Sequence, residues 1–448
     1  MKYLEKVQQL IDQFANLKAE LGWIMLGQAL GFVGGFLGIK VLTNFMGPNG
    51  YGQLALGLSI AGVLSTYVYG PVANVVARYF VVYRERRTLE VYFSVLKKWH
   101  RQLLILLSLV AIVVTGIAVL WVGLEWALLV LFSALYGISS GINSSYLAMQ
   151  SAIRQRKIVA LHQGLDVWLR VGISVALLLL FRNSGYVVLL GYLCGTLLIT
   201  VSQHCFAMKN DEIRQHWYSE NIKKESLYNG RCEFLAYATP FIFFAGFAIV
   251  SLYADRWIIQ VVGGASMVGV YAAIFQIASS PVNLLFSLVN QLMVPIVFER
   301  AGAMSSQVQV RESADLLRQT VLASASASFL IIIVAIFFSN PIMRLFTNQL
   351  FAANHNILWI IILGLVLYNI GQLFCLKGMY SNQPNIYFWP KGVQALSLLL
   401  FGYLFTWHDG LVGMAWALCF SSVLYVVAVL IVNYKLRLKF DCGLHTIA

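Results

Sequence analysis

Charged residues are scarce in this 448-residue sequence, where Asp, Glu, Lys and Arg occupy 11% of the positions. Soluble domains carry about 25%, and a chain that is 60% apolar with a mean hydropathy of +0.77 is not one of them. Cysteine is scarce too, with six residues and no CxxC spacing, so neither a disulfide framework nor a metal site is indicated. No GxxxxGK loop is present to bind ATP. We therefore expect an integral membrane protein that works without a cofactor.

The net charge of +13 does not indicate a nucleic-acid partner in such a chain. Lys and Arg at the ends of membrane helices orient a protein and contact anionic lipid headgroups. Basic clusters such as Arg84, Arg86 and Arg87 recur in the loops on the side of the chain termini, whereas the opposite loops hold few basic residues. This alternation predicts that both termini face the cytoplasm.

Apolar stretches long enough to cross a bilayer, about 20 residues each, number twelve. Six lie before residue 208 and six after residue 231, which predicts an all-α polytopic membrane protein of two six-helix lobes related by pseudo-two-fold symmetry. The predicted segments are an amphipathic interfacial helix, an N-lobe, a cytoplasmic linker, a C-lobe and a cytoplasmic tail, at 1–20, 21–207, 208–231, 232–436 and 437–448.

Enzymatic chemistry is disfavoured by the loops. Membrane polymerases and ligases that act on sugars usually need a large outer loop, and none is predicted here. The longest inner segment, 208–231, is too short for a nucleotide-sugar domain. We therefore predict that the protein is not an enzyme.

Two glycine-containing turns occupy matching positions in the two halves. Gly47 and Gly52 follow the first span, and Gly264 and Gly269 follow the seventh at the same interval of five residues. Each turn is predicted to open a long helix. Pro71 lies within the first of these helices and should bend it by removing a backbone donor.

Several segments carry a resemblance to a known family. The run 40–52, which contains Asn49-Gly50-Tyr51-Gly52, and the run 73–79 resemble the opening signature of the polysaccharide export flippases. The segments 255–257 and 268–271 are similar to that family's second-half signature, and the segment 410–417 resembles the end of the family's pattern. These flippases belong to the multidrug/oligosaccharidyl-lipid/polysaccharide (MOP) exporter superfamily, so the resemblance implies a MOP-type fold.

The resemblance also implies an activity and partners. It implies that the chain flips undecaprenyl-pyrophosphate-linked oligosaccharide units across the cytoplasmic membrane of a bacterial or archaeal cell by alternating access, for surface polysaccharide biosynthesis. Its partners would be the polyprenyl-pyrophosphate-linked glycan, membrane lipids, a polysaccharide polymerase and other glycan-assembly proteins. Two alternatives stay open: an ion-coupled multidrug or small-molecule exporter of the same superfamily, and a scaffold for a glycan-synthesis complex.

Ionisable residues inside membrane spans are costly and mark transport pathways. Cationic residues outnumber carboxylates in and near the spans, which suits a pyrophosphate cargo. The candidate substrate-binding residues are Lys40, Arg78, Arg170 and Arg256. The candidate ion-coupling or gating residues are Asp166 and Asp255.

Each candidate has a structural alternative. Lys40 and Arg78 lie near span ends, where long cationic side chains snorkel to the headgroups. Asp166 and Arg170 are spaced i,i+4, which places them on one helix face and predicts an ion pair that either clips helices together or gates a cavity. Asp255 either takes part in coupling or neutralises Arg256 or a neighbouring helix.

Overall fold

The structure is a computed structural model that describes residues 2–181, 183–218, 222–301, 307–381 and 383–441. Of residues 2–21 and 437–441 it describes the backbone. The backbone is helical from Lys2 onward, but the side chains that would define an amphipathic face over 1–20 lie outside the described residues. The predicted tail 437–448 lies outside them in the same way. The amphipathic helix and the tail therefore stay predictions.

Thirteen α-helices follow one another in the described residues, and no strand interrupts them there. They are α1 Lys2–Phe45, α2 Pro48–Val63, α3 Gly70–Glu85, α4 Leu89–Trp121, α5 Leu124–Ala152, α6 Arg156–Leu180, α7 Gly185–Met208, α8 Asp211–Trp217, α9 Lys224–Ala301, α10 Gln307–Phe346, α11 Gln349–Ala352, α12 Leu358–Tyr380 and α13 Phe388–Asp441. Short 3₁₀ segments precede α12 and α13, at His355–Ile357 and Pro384–Tyr387.

The predicted number of membrane spans agrees with these helices. Ten candidate spans occur in the described residues, and two of them, Ala245–Ala301 and Asn385–Leu436, are 57 and 52 residues long. A single crossing takes about 20 residues, so each of these two holds two crossings. Non-helical backbone at Gly264 and Gly410 divides them near the positions that the sequence predicted. The chain is an all-α, multi-pass membrane protein with about twelve spans.

Gly264 adopts a backbone conformation that is essentially restricted to glycine, with φ of 74° and ψ of 179°. A Cβ atom added there would meet no heavy atom within 4 Å. The need for glycine at this position therefore comes from the backbone conformation and not from close packing. Gly264→Ala is expected to destabilise the protein by about 1–3 kcal/mol. Thermal unfolding in detergent measures this. Gly246→Ala, at a helical glycine that also has open space around it, is the control, and an equal loss in both variants would contradict the argument.

A π-helical turn, Leu64–Tyr69, joins α2 to α3 immediately before Pro71. Pro71 has no backbone N–H to donate, so the helix before it cannot keep its regular hydrogen bonds. π-helix is rare and occurs mostly as single turns inside α-helices. The structure therefore places a π-helical turn directly before Pro71, and the bend that the sequence predicts at Pro71 stays a prediction.

The described chain forms two compact units. The N-terminal unit contains 1–46 and 53–246, and the C-terminal unit contains 47–52 and 247–448. The division between Gly246 and Phe247 lies within α9, inside the seventh predicted span. The predicted lobes, 21–207 and 232–436, were defined by counting spans along the chain, and their bounds stay a prediction.

In the N-terminal unit, α6 packs against α1 and α7, and α5 packs against α3, α4 and α7. Glycines permit the contact between α1 and α6. A Cβ added to Gly34 would lie 3.0 Å from Val167 Cγ1, and one added to Gly38 would lie 2.8 Å from Val171 Cγ2. This contact fixes α6, the helix that carries Asp166 and Arg170.

In the C-terminal unit, α12 packs against α10 and α13. The same unit also contains a close contact between the start of α2 and the part of α9 that follows Gly264. A Cβ on Gly52 would lie 1.7 Å from the Ala265 carbonyl oxygen and 2.9 Å from the Gly269 nitrogen, and one on Gly269 would lie 1.9 Å from the Pro48 carbonyl oxygen. The structure makes 48–52 the first turn of α2 and 265–269 a helical part of α9, so the predicted glycine turns lie mostly within helices. The segments 47–52 and 264–269 contact each other backbone to backbone, and we call this contact the glycine crossing.

Candidate functional site

The predicted ion pair between Asp166 and Arg170 is confirmed. Arg170 Nη2 lies 3.1 Å from Asp166 Oδ2, and the two side chains are 21% and 15% exposed. Arg170 is ten residues from the nearer end of α6, about 15 Å at a rise of 1.5 Å per residue. That depth places a guanidinium well inside the span, where a charge without a partner is costly.

Side chains from α5 and α7 complete this pair. Arg170 Nη1 donates a hydrogen bond to the Tyr136 hydroxyl at 2.5 Å, and the guanidinium carbon lies 5.9 and 5.4 Å from the ring centroids of Tyr136 and Tyr192. Thr196 Oγ1 donates to Asp166 Oδ1 at 3.1 Å. We call these five residues the Arg170 cluster. Both carboxylate oxygens are thereby engaged, and the cation lies against two aromatic faces.

Small residues bring α7 close enough to form this cluster. A Cβ on Gly195 would lie 2.9 Å from the Arg170 nitrogen and 3.0 Å from its Cα. Arg170 Nε also donates to the Asp166 carbonyl oxygen at 3.3 Å. The described contacts occupy three of the five guanidinium N–H groups, one each on Nη1, Nη2 and Nε.

Tyr136→Phe is expected to destabilise the protein by about 1–3 kcal/mol, because it leaves a guanidinium N–H without its acceptor inside the span. Thermal unfolding in detergent measures the loss. Tyr192→Phe keeps the ring that faces Arg170 and should cost less. Equal losses in both variants would show that the Tyr136 hydroxyl does not stabilise the cluster.

A second aspartate–arginine pair lies in the C-terminal unit. Arg256 Nη1 is 3.3 Å from Asp255 Oδ1, and the two side chains are 13% and 4% exposed. The same oxygen accepts from the Arg256 backbone nitrogen at 2.8 Å. The Arg256 guanidinium lies 5.0 Å from the Phe275 ring centroid and 5.8 Å from that of Tyr253. Asp255 and Arg256 therefore form an ion pair, and both the neutralising role and the coupling role of Asp255 stay predictions.

The hydrogen bonds and ion pairs described for these two aspartate–arginine pairs do not include Lys40 or Arg78. Lys40 is half-buried on α1, five residues before that helix ends. Arg78 is exposed on α3, on the same helix face as the exposed Asn74. Binding of the cargo by Lys40 and Arg78 stays a prediction.

Sequence reasoning did not find the three partners of the Arg170 cluster. Tyr136, Tyr192 and Thr196 lie in the fourth and sixth predicted spans, and no local spacing relates them to Asp166. A tyrosine inside an apolar span is the available signal, because its hydroxyl needs a partner when it is buried.

Metal-ligating side chains do not cluster in the described part of the chain. No three His, Cys, Asp or Glu side chains within it are close enough to share a metal ion. The five described cysteines are free.

A family model described as "polysaccharide biosynthesis protein" matches residues 17–300. No curated protein matches the chain by sequence. Among solved structures, an inward closed conformation of the lipid II flippase MurJ is similar, with a TM-score of 0.66 and 15% identity. That match covers 92% of this chain and 87% of MurJ.

Structures of multidrug resistance transporters match as well. An inward-facing MATE family transporter of the MOP superfamily has a TM-score of 0.61 and 14% identity, over 94% of this chain and 96% of that one. An outward-facing MATE transporter has a TM-score of 0.58 and 11% identity, over 94% and 95%. At such identities the likeness establishes the fold, and it is the MOP exporter fold that the sequence predicted.

Proposed function

The chain belongs to the polysaccharide biosynthesis protein family, and on that premise we propose that it flips undecaprenyl-pyrophosphate-linked oligosaccharide units across the cytoplasmic membrane. MurJ, whose fold is similar, is described as a lipid II flippase. The cargo proposed for this chain combines an anionic pyrophosphate headgroup with an apolar polyprenyl tail. Transport would serve the biosynthesis of surface polysaccharide.

The Arg170 cluster is the observation that carries this proposal. A guanidinium held about 15 Å inside a span is suited to a cargo that brings phosphate oxygens to that depth. Phosphate binds a guanidinium through paired hydrogen bonds, so the headgroup would be oriented as well as attracted. Asp166 would hold the cation in place between transport events.

The proposed mechanism is alternating access between two lobes. The inward state would admit pyrophosphate and glycan to a cationic site while the polyprenyl tail stays in the lipid. Lys40, Arg78 and Arg256 would contact the headgroup along its path. Asp166 and Asp255 would release their arginines when the cargo arrives, or exchange a coupling ion, because each is an intramembrane carboxylate that already pairs with a cation.

Both termini are proposed to face the cytoplasm of a bacterial or archaeal cell, as the distribution of basic residues predicts. The undecaprenyl-linked unit would arrive from enzymes that assemble it on that side. It would be used on the other side by a polysaccharide polymerase and other glycan-assembly proteins.

Transfer in liposomes tests the proposal. The purified protein is reconstituted, a fluorescent polyprenyl-pyrophosphate sugar is incorporated, and its accessibility to a membrane-impermeant quencher is followed with and without imposed proton and sodium gradients. We expect quencher accessibility to change faster than in protein-free liposomes. Transfer no faster than in those liposomes, with folded protein and every gradient imposed, would contradict it.

An ion-coupled exporter of small molecules is the second candidate, because MATE transporters share the fold. Drug exporters commonly move cations and would be expected to carry unpaired carboxylates at the site. Here Asp166 and Asp255 each pair with an arginine. The same liposomes loaded with a fluorescent organic cation provide the comparison, and gradient-driven movement of the cation without movement of the lipid-linked sugar would favour the exporter.

A further inference from the structure

A cavity of about 290 Å³ lies between α4 and the first turns of α9, within the N-terminal unit. Lys98 lines it from α4, and Lys224 and Arg231 line it from α9. All three cationic side chains are exposed. We call this cavity the basic pocket. It shares no residue with the Arg170 cluster.

The spacing of residues along the two helices creates the basic pocket. Lys98 and Gln102 are separated by four residues on α4, while Lys224, Tyr228 and Arg231 recur at i, i+4 and i+7 on α9. Each set therefore lies on a single helix face.

A glycine sets the distance between these two faces. A Cβ on Gly230 would lie 3.0 Å from the Tyr83 hydroxyl oxygen and 3.2 Å from Val95 Cγ2. Because Val95 is a residue of α4, the missing side chain at Gly230 lets α9 pack closely against that helix. The same contact turns the cationic face of α9 toward Lys98.

The charge of the basic pocket is not balanced by the residues that line it. Its lining contains three cations and no carboxylate. Among the described residues, no ion pair includes Lys98, Lys224 or Arg231. Glu233, two residues after Arg231, pairs with Arg86. Three like charges around one cavity repel each other unless an anion lies between them.

The position of the basic pocket on α4 indicates where that anion comes from. Shortly after Gln102, α4 exposes a series of apolar side chains such as Leu104, Ile105 and Leu109. Such a surface is suited to contact with lipid. The basic pocket therefore lies where the apolar surface ends. Trp99 and Tyr228 also line it, and these residue types concentrate at the headgroup level of a bilayer.

We infer that the basic pocket binds the phosphate headgroup of an anionic membrane phospholipid. Arg231 and the two lysines would surround the phosphate oxygens, and Gln102 would donate to the headgroup. The acyl chains would lie along the exposed apolar side chains of α4. This site would hold a resident lipid at the junction of α4 and α9 and does not depend on the identity of the transported cargo.

Native mass spectrometry tests this directly. The protein in detergent is mixed with phosphatidylglycerol, cardiolipin or phosphatidylcholine, and retained lipid is counted for wild type and for the triple variant Lys98→Gln/Lys224→Gln/Arg231→Gln. We expect the variant to bind the anionic lipids about 100-fold more weakly, at roughly five-fold per removed charge. Phosphatidylcholine should be retained poorly by both proteins.

The matched control is Arg311→Gln/Arg318→Gln/Lys435→Gln, which removes three exposed charges from the C-terminal unit and should retain the lipid. Equal retention by wild type and both variants would overturn the inference. A monodisperse elution profile of the triple variant shows that it is folded.

A free phosphate is distinguished from a lipid by competition. Inorganic pyrophosphate added at millimolar concentration should displace little lipid, because it lacks the apolar contacts along α4. Full displacement by pyrophosphate, or retention of pyrophosphate without any lipid, would show a soluble-anion site instead and would overturn the assignment to phospholipid.

Discussion

Arg170→Ala is expected to slow the transfer of a polyprenyl-pyrophosphate-linked sugar in liposomes 10- to 100-fold. Hydrogen bonds to a charged group contribute about 1.5–3 kcal/mol, and each 1.4 kcal/mol changes an equilibrium about ten-fold. The substitution removes the guanidinium that lies between Asp166 and Tyr136. Initial rates of transfer, normalised to the amount of inserted protein, measure the effect.

The same substitution also removes the partner of Asp166, so stability must be separated from transport. Breaking a buried ion pair from one side costs about 3–5 kcal/mol, and Asp166 is 15% exposed. Arg170→Lys restores a positive charge without the planar fork. We expect this variant to recover most of the lost thermal stability and little of the transfer rate. Full recovery of transfer by lysine would show that charge alone suffices there.

Gly52→Ala is expected to destabilise the protein by about 3 kcal/mol, at the upper end of the range for overpacked sites. The added methyl carbon would lie 1.7 Å from the carbonyl oxygen of Ala265 at the glycine crossing. That oxygen belongs to the backbone, so it cannot move aside as a flexible side chain would. Gly269→Ala should behave alike, because its Cβ would lie 1.9 Å from the Pro48 carbonyl oxygen.

Gly47→Ala is the matched control for the glycine crossing. Gly47 belongs to the same segment, and a Cβ there would meet no heavy atom within 4 Å. The melting temperature in detergent and the fraction of monodisperse protein should fall for the Gly52 and Gly269 variants and stay near wild type for Gly47→Ala. A Gly52 variant as stable as wild type would show that the two segments do not pack this closely.

The features that sequence predicted correctly are local in the chain. Twelve spans follow from hydropathy over about 20 consecutive residues, and the divisions at Gly264 and Gly410 lie where the apolar runs are interrupted. The pair between Asp166 and Arg170 follows from i,i+4 spacing on one helix. Such relations need no knowledge of tertiary packing.

The features that sequence did not predict depend on packing between distant segments. Tyr136 and Thr196 reach the ion pair from two other helices, over separations of about 30 residues. The equal intervals from Gly47 to Gly52 and from Gly264 to Gly269 were visible in the sequence, but the contact between Gly52 and Gly269 was not. A repeated spacing indicates a shared backbone geometry and does not reveal which segments meet.

The most direct test compares wild type with the neutral double variant Asp166→Asn/Arg170→Gln. This variant removes both charges together, which avoids leaving one of them unpaired inside the span. The measurement is the initial rate at which a labelled polyprenyl-pyrophosphate sugar changes leaflet in proteoliposomes. The account predicts transfer by wild type and a rate in the double variant at least ten-fold lower, with both proteins folded. Equal rates in the two proteins would contradict the claim that this intramembrane arginine recognises the cargo.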